Sequence, residues 1–257
     1  MRKAILSASV MLVLAVVVFA GNDPWKAKPY QQWDEKDVRK ILGDSPWSKV
    51  IQVEATWKNM KDPLADNSSQ PPTTNTPSPA PKMGQSPPTS ANAGGMPAGG
   101  AVDSGNSAAQ ATFAVRWVSS RTLQRAAVRN AELAGQLKPE DAEKQLANAP
   151  DVYEVALTGP DMRPFQSADE DTLKLSSALI DKKSKQKISP SKVEITRTAD
   201  GKKVQALAFI FPKKAGNGEP AIPEDEKSVD FICDTNGAKI HAGFDLSKMQ
   251  DSQGRDL

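Results

Sequence analysis

The chain has 257 residues, 33 Lys and Arg against 31 Asp and Glu, and 38% hydrophobic content, which suits one large domain or two small ones of ordinary globular character. The near-balance of charge excludes the basic excess on which nucleic-acid binders rely. One cysteine and one histidine exclude an internal disulfide and the usual four-ligand zinc sites within one chain.

Residues 1–20 read as a secretory signal: Arg2 and Lys3 form the positive start, Ala4 to Phe19 the apolar run, and Val18-Phe19-Ala20 the small-residue cleavage point. The alternative is an uncleaved membrane anchor, since the run falls just short of a full span. Removing Arg2 and Lys3 leaves 31 basic against 31 acidic residues, a formally neutral mature chain. The protein is therefore expected to be exported, periplasmic or extracellular, and to touch a membrane only through an uncleaved N-terminal segment.

Asp34 is a good helix N-cap, with Asp37 in the capping-box position and Trp33 and Val38 placed as a hydrophobic staple. Val38, Ile41 and Leu42 follow helical spacing, Gly43 suits a left-handed residue after the helix end, and Pro46 forces Ser45 out of helical geometry. Ile51, Val53, Ala55 and Trp57 then alternate with Gln52, Glu54 and Thr56, the pattern of a half-buried strand. Helix and strand, residues 21–58, are too small for an independent core.

Residues 59–110 form a Pro/Ser/Gly/Ala-rich insertion. Nine of the twenty prolines lie between Lys61 and Gly100, where only Leu64, Met83 and Met96 are large apolar groups, so disorder is expected. Closing such a loop costs only about 2 kcal/mol more than a short turn. An insertion between neighbouring strands of one domain follows, with Phe113, Val115 and Trp117 pairing back onto Ile51 to Trp57.

Residues 111–257 make up the rest of that domain. Ser119 or Ser120 caps a helix reaching Leu137, and Lys138-Pro139 opens another running to Asn148. Val152 to Thr158 reads as a strand, Ser167 with Glu170 as a capping box for a short helix across Asp171 to Leu175, and Ala178 to Ile180 as an extended piece. Two hairpins close the chain, around Asp200-Gly201 and Asn236-Gly237. In the second, a two-residue turn pairs Asp234 with Lys239, Cys233 with Ile240, Ile232 with His241 and Phe231 with Ala242. One face then collects Val229, Phe231, Cys233, Ala238, Ile240, Ala242 and Phe244, leaving Ile232 as the one misfit on the other. The expected fold is α+β: an antiparallel sheet of about six to eight strands with helices on one face, interrupted by the long insertion.

Chemistry is sparse. The hairpin register places Cys233 and His241 on opposite faces, which removes the one nucleophile–base pair available. No G-x-S-x-G elbow, Walker loop, G-x-G-x-x-G or EF-hand pattern is present, so no catalytic, metal or cofactor residue is assigned and no cofactor is expected. The acidic groups Asp34, Glu35, Asp37 and Asp169, Glu170, Asp171 sit in first helical turns, where the helix dipole favours them. Arg121, Arg125 and Arg129 fall at i, i+4 and i+8 and form a basic stripe, a candidate ligand-binding face for an anion. Trp47, in a loop beside Pro46, is the candidate for stacking on a sugar. Lys182, Lys183, Lys185 and Lys187 read as a polar loop or an edge strand guarded by lysine.

The pattern Trp33-x-x-x-Asp37-Val38-x-x-Ile41-Leu42-x-Asp44-Ser45-Pro46-Trp47, with Val115-x-Trp117-x-Ser119 after the insert, resembles exported proteins of acidobacteria-type soil bacteria that carry no assigned activity. The ending Phe244-x-Leu246-x-x-Met249, Gly254 and Leu257 is similar too. These motifs are structural, and no functional residue carries over from the resemblance. The expected function is non-enzymatic binding of a protein or envelope component; a carboxylate-based hydrolase acting on an extracellular or envelope polymer is the alternative.

Overall fold

Alternation gives each long strand one face that must leave water, and in this protein those faces cover each other. The computed structural model describes residues 23–55, 110–147, 151–235 and 237–257. The expected signal, Trp57, the body of the insertion, Asn148 and Asn236 lie outside the described residues.

In chain order the elements are α1 (Pro24–Ala27), α2 (Glu35–Gly43), β1 (Ser48–Glu54), β2 (Gln110–Trp117), α3 (Arg121–Leu133), α4 (Pro139–Ala147) and β3 (Val152–Thr158). They continue with α5 (Glu170–Ser176), β4 (Ser177–Asp181), β5 (Lys187–Ile188), β6 (Lys192–Arg197) and β7 (Val204–Pro212). The last are β8 (Ser228–Asp234), β9 (Lys239–Asp245), β10 (Gln250–Asp251) and β11 (Gly254–Arg255). The class is α+β. The long strands divide between a five-stranded sheet, β1-β2-β3-β7-β6, and a four-stranded sheet, β5-β4-β8-β9, with β10-β11 as a small ribbon. Every strand pairing is antiparallel.

Aromatic rings lock the two inner faces together. Phe209 of β7 meets Phe231 of β8 edge-on at 5.0 Å, and Trp117 of β2 meets Phe244 of β9 at 5.3 Å. The apolar face of β8-β9, expected to lie under helices, is thus covered by the other sheet. α2 packs against both α1 and α3 where β1 begins and β2 ends, and α4 packs on α3.

β1 pairs with β2, Ile51 opposite Phe113, so the chain leaves and re-enters the sheet at adjacent strands across the insertion. The β8–β9 register matches the expected one pair for pair, and Cys233 is fully buried while His241 is exposed beside Asp230. Burial pushes the Cys233 thiol up to about 12, the condition of an inert core residue. β5, carrying Lys187, is an edge strand of its sheet.

Four local expectations are corrected. Gly43 is the last helical residue and not left-handed; the exposed carbonyls of α2 are taken instead by Ser45 Oγ on Ile41 O at 2.6 Å, and by Ser48 Oγ and Arg116 Nε on Leu42 O at 2.9 and 2.8 Å. The left-handed glycine is Gly135, φ 68°, which stops α3 short of Leu137. Asp169, not Ser167, caps α5 by accepting from Thr172 N, because residues 163–165 form a 3-10 turn around the buried Phe165 and Ala168 N closes back on Phe165 O. In the β6–β7 hairpin only Gly201 adopts positive φ, Gly201 N closes on Thr198 O, and a bulge follows at Thr196/Arg197 instead of a plain two-residue turn.

Phe231 bridges both sheets by its contacts to Phe209 and Phe211. Phe231→Ala is expected to cost about 3–5 kcal/mol in denaturant unfolding, whereas Val50→Thr, 59% exposed on β1, should stay within about 0.5 kcal/mol of wild type.

Candidate functional site

The arginine stripe of α3 is engaged within the fold. Arg121 grips Asp251 with two bonds, Nη2–Oδ1 at 2.9 Å and Nε–Oδ2 at 3.1 Å, and Arg125 Nη1 adds a third at 3.3 Å. Arg129 donates from Nε to Trp33 O at 2.9 Å and from Nη1 to Glu132 at 3.1 Å. Trp47 is fully buried, edge-on to Trp25, and its indole N–H donates to Asp256 O at 2.7 Å. Its position closes it to any sugar arriving from solvent. Arg121 and Arg125 instead hold α3 to the segment 250–256, Arg129 holds it to Trp33, and Trp47 ties its own turn to Asp256.

Asp256 completes that joint. Its carboxylate accepts Arg121 N at 2.7 Å and Thr122 N at 2.9 Å, while Ser120 Oγ accepts Leu123 N at 3.2 Å. The first three orphan amides of α3 are thereby satisfied.

With α3 fixed, its outward side forms one wall of a groove of about 560 Å³. Leu123 and Ala127 of α3, Leu146 of α4, Leu42 of α2, and Arg116 and Glu154 of the sheet line it. A smaller hollow of about 370 Å³ shares Leu42 and Arg116 and adds Arg39 and Asn130. Arg116 and Glu154 project from the outer face of the five-stranded sheet, opposite to the face that meets β8 and β9. That outer face is low, because Ala114, Ala156, Ala206 and Ala208 share it and all four remain partly exposed.

The two charged groups of the groove are partly buried and have no oppositely charged partner among the described residues. Arg116 donates from Nε to Leu42 O and from Nη1 to Thr158 Oγ1 at 3.2 Å, and its Nη2 has no acceptor there. Burial lowers the Arg116 pKa. Among the described residues Glu154 makes no side-chain hydrogen bond or ion pair; burial, and then the charge of Glu194, push its carboxyl above the usual range. Glu194 lies on β6 and is itself bonded to Lys192 Nζ at 2.7 Å.

Sequence reasoning passed over Arg116 and Glu154. The available signal was their position: each is the charged residue on the outward phase of a strand whose other outward neighbours are small. The acidic groups at 34–37 and 169–171 are helix caps and first-turn residues, and no cluster of three metal-ligating side chains occurs among the described residues. No helix among the described residues is long and apolar enough to cross a membrane. Searches against family models, curated proteins and solved structures return no match.

Asp251 links the stripe to pH. Burial alone would raise its pKa, but the Arg121 hydrogen bonds, the Gln253 amide and the charges of Arg121 and Arg125 hold it below 3.8. A depressed carboxyl contributes stability that is complete above its unfolded value and is lost as pH falls through the folded one. The stability gap between wild type and Asp251→Asn should therefore be full at about pH 7 and shrink below about pH 4. Equal gaps in denaturant melts at both ends would contradict this assignment.

Proposed function

We propose that the chain is an exported, non-enzymatic binding domain acting at the cell envelope, and that its recognition surface is the groove between α3, α4 and the outer face of the five-stranded sheet. The observation that carries this reading is Arg116. A guanidinium drawn partly out of water, held by neutral oxygens and left without a carboxylate, is a charge kept available for a ligand. The apolar wall of Leu42, Leu123, Ala127 and Leu146 beside it supplies the surface whose burial drives association. The test is a pull-down from envelope extract with the full chain, its Ala127→Glu variant and Lys239→Glu, exposed on β9 of the other sheet, as a remote control. Ala127 is exposed in the groove wall, so the substitution blocks the site without entering the core. The reading expects a protein or envelope component captured by wild type and by Lys239→Glu and reduced at least about tenfold by Ala127→Glu, a loss of about 1.4 kcal/mol. Identical capture by all three contradicts it.

One observation favours a second reading, a carboxylate-based hydrolase acting on an extracellular or envelope polymer. Glu154 is an unpartnered acid with a raised pKa, the state a general acid needs. That reading requires soluble products to be released from envelope polymer by wild type and not by Glu154→Gln. Absence of product from both sets it aside.

A further inference from the structure

Arg116 and Glu154 lie on neighbouring strands and on one face. Arg116 opposes Ala156 in the β2–β3 register, and Glu154 is two residues further along β3, a diagonal spacing of about 7–8 Å. Opposite charges so placed ordinarily pair. Here the guanidinium is turned the other way, toward Leu42 O and toward Thr158, which lies beyond Ala156 from Glu154. Each charge keeps an open side toward the same groove.

Resting on the groove as recognition surface, we infer that its ligand is an extended protein segment bearing two opposite charges, a carboxylate taken by Arg116 and a lysine or arginine taken by Glu154. Glu194, across β7 on the same outer face, is already paired with Lys192 Nζ, which leaves Glu154 as the acid open to a cation from the ligand. Gln124 and Gln145 stand along the groove wall and offer both donors and acceptors, which suits a peptide backbone. A sugar ring or a nucleic-acid base is disfavoured because recognition of either leans on aromatic faces, and no aromatic residue lines the groove. Trp25, Trp33, Trp47 and Trp117 are all buried. The pairing also follows from desolvation: two partly buried charges of opposite sign, neither in an ion pair among the described residues, gain most from a ligand that satisfies both at once.

The test uses a displayed library of random heptapeptides selected on the full chain, on Glu154→Gln and on the groove-blocked Ala127→Glu. Glu154→Gln keeps the size of the side chain and disturbs no side-chain partner among the described residues. Wild type is expected to enrich peptides with one acidic and one basic residue at a recurrent spacing. Glu154→Gln should keep the acidic preference and lose the basic one, with affinity for a synthesised wild-type winner falling about tenfold or more. The inference is overturned if no peptide is enriched, if the enriched peptides lack a basic residue, or if Glu154→Gln leaves the profile unchanged. Singly charged winners that vanish on Ala127→Glu would leave the groove standing and remove only the two-charge ligand. Equal enrichment on Ala127→Glu would remove the groove itself.

Discussion

The geometry of the helical end depends on a single buried residue, Asp256. All of its polar groups are used: its amide donates to Met249 O, its carbonyl accepts the Trp47 indole, and its carboxylate accepts the first two amides of α3. A carboxylate at a helix N-terminus meets both the unsatisfied amides and the positive end of the helix dipole. Hydrogen bonds to a charged group contribute about 1.5–3 kcal/mol, and stranding that charge in the interior costs more. The same residue reaches across the chain to residues more than a hundred positions away, so it joins the N-terminal Trp47 turn, the central helix and the 250–256 ribbon. The Arg121–Asp251 fork lies alongside and fixes the rotation of α3 as well as its depth.

From that joint the character of the groove follows. α3 carries Leu123 and Ala127 on the side turned toward α4 and the outer sheet face, held there by its anchored N-terminus together with its packing on α2. The α2 helix ends on serines and on Arg116 where a left-handed glycine would have served alone. Capping by Arg116 draws the guanidinium toward Leu42 and away from Glu154. A stability device thus leaves two opposite charges in one concavity with no ion-pair partner among the described residues. Asp251, Asp230 and Asp161 each meet a cation and Arg255 is held by Pro223 O and Glu224 O, whereas Arg116 and Glu154 are left facing one groove.

What could be read in advance was whatever depends on neighbours in sequence. The Asp34–Asp37 capping box is a matter of three residues, and it forms with both of its bonds. The β8–β9 register was legible because a one-residue slip would expose Phe231 and Phe244 together. The β1–β2 pairing was legible despite the insertion, since Ile51 and Phe113 each sit on the apolar phase of a strand. What escaped depends on distance. An apolar strand face reads the same whether a helix or a second sheet covers it, so the division into two sheets carried no local sign. The arginine spacing at 121, 125 and 129 marks a helix face correctly but cannot reveal that Asp251 and the carbonyl of Trp33 already occupy it. Trp47 beside Pro46 looks exposed until Asp256 and Trp25 close over it. Ser167 and Asp169 are equally good caps by type, and only the turn around Phe165 decides between them.

The central claim is that Asp256 holds α3, and with it the groove wall, in place. Site-resolved amide hydrogen exchange on Asp256→Ala tests it most directly. The account predicts that protection falls for the amides of Arg121, Thr122 and Leu123 and along α3, while β7 and β8 stay protected as in wild type. Unchanged protection across α3, or a uniform loss over helices and sheets alike, would contradict it.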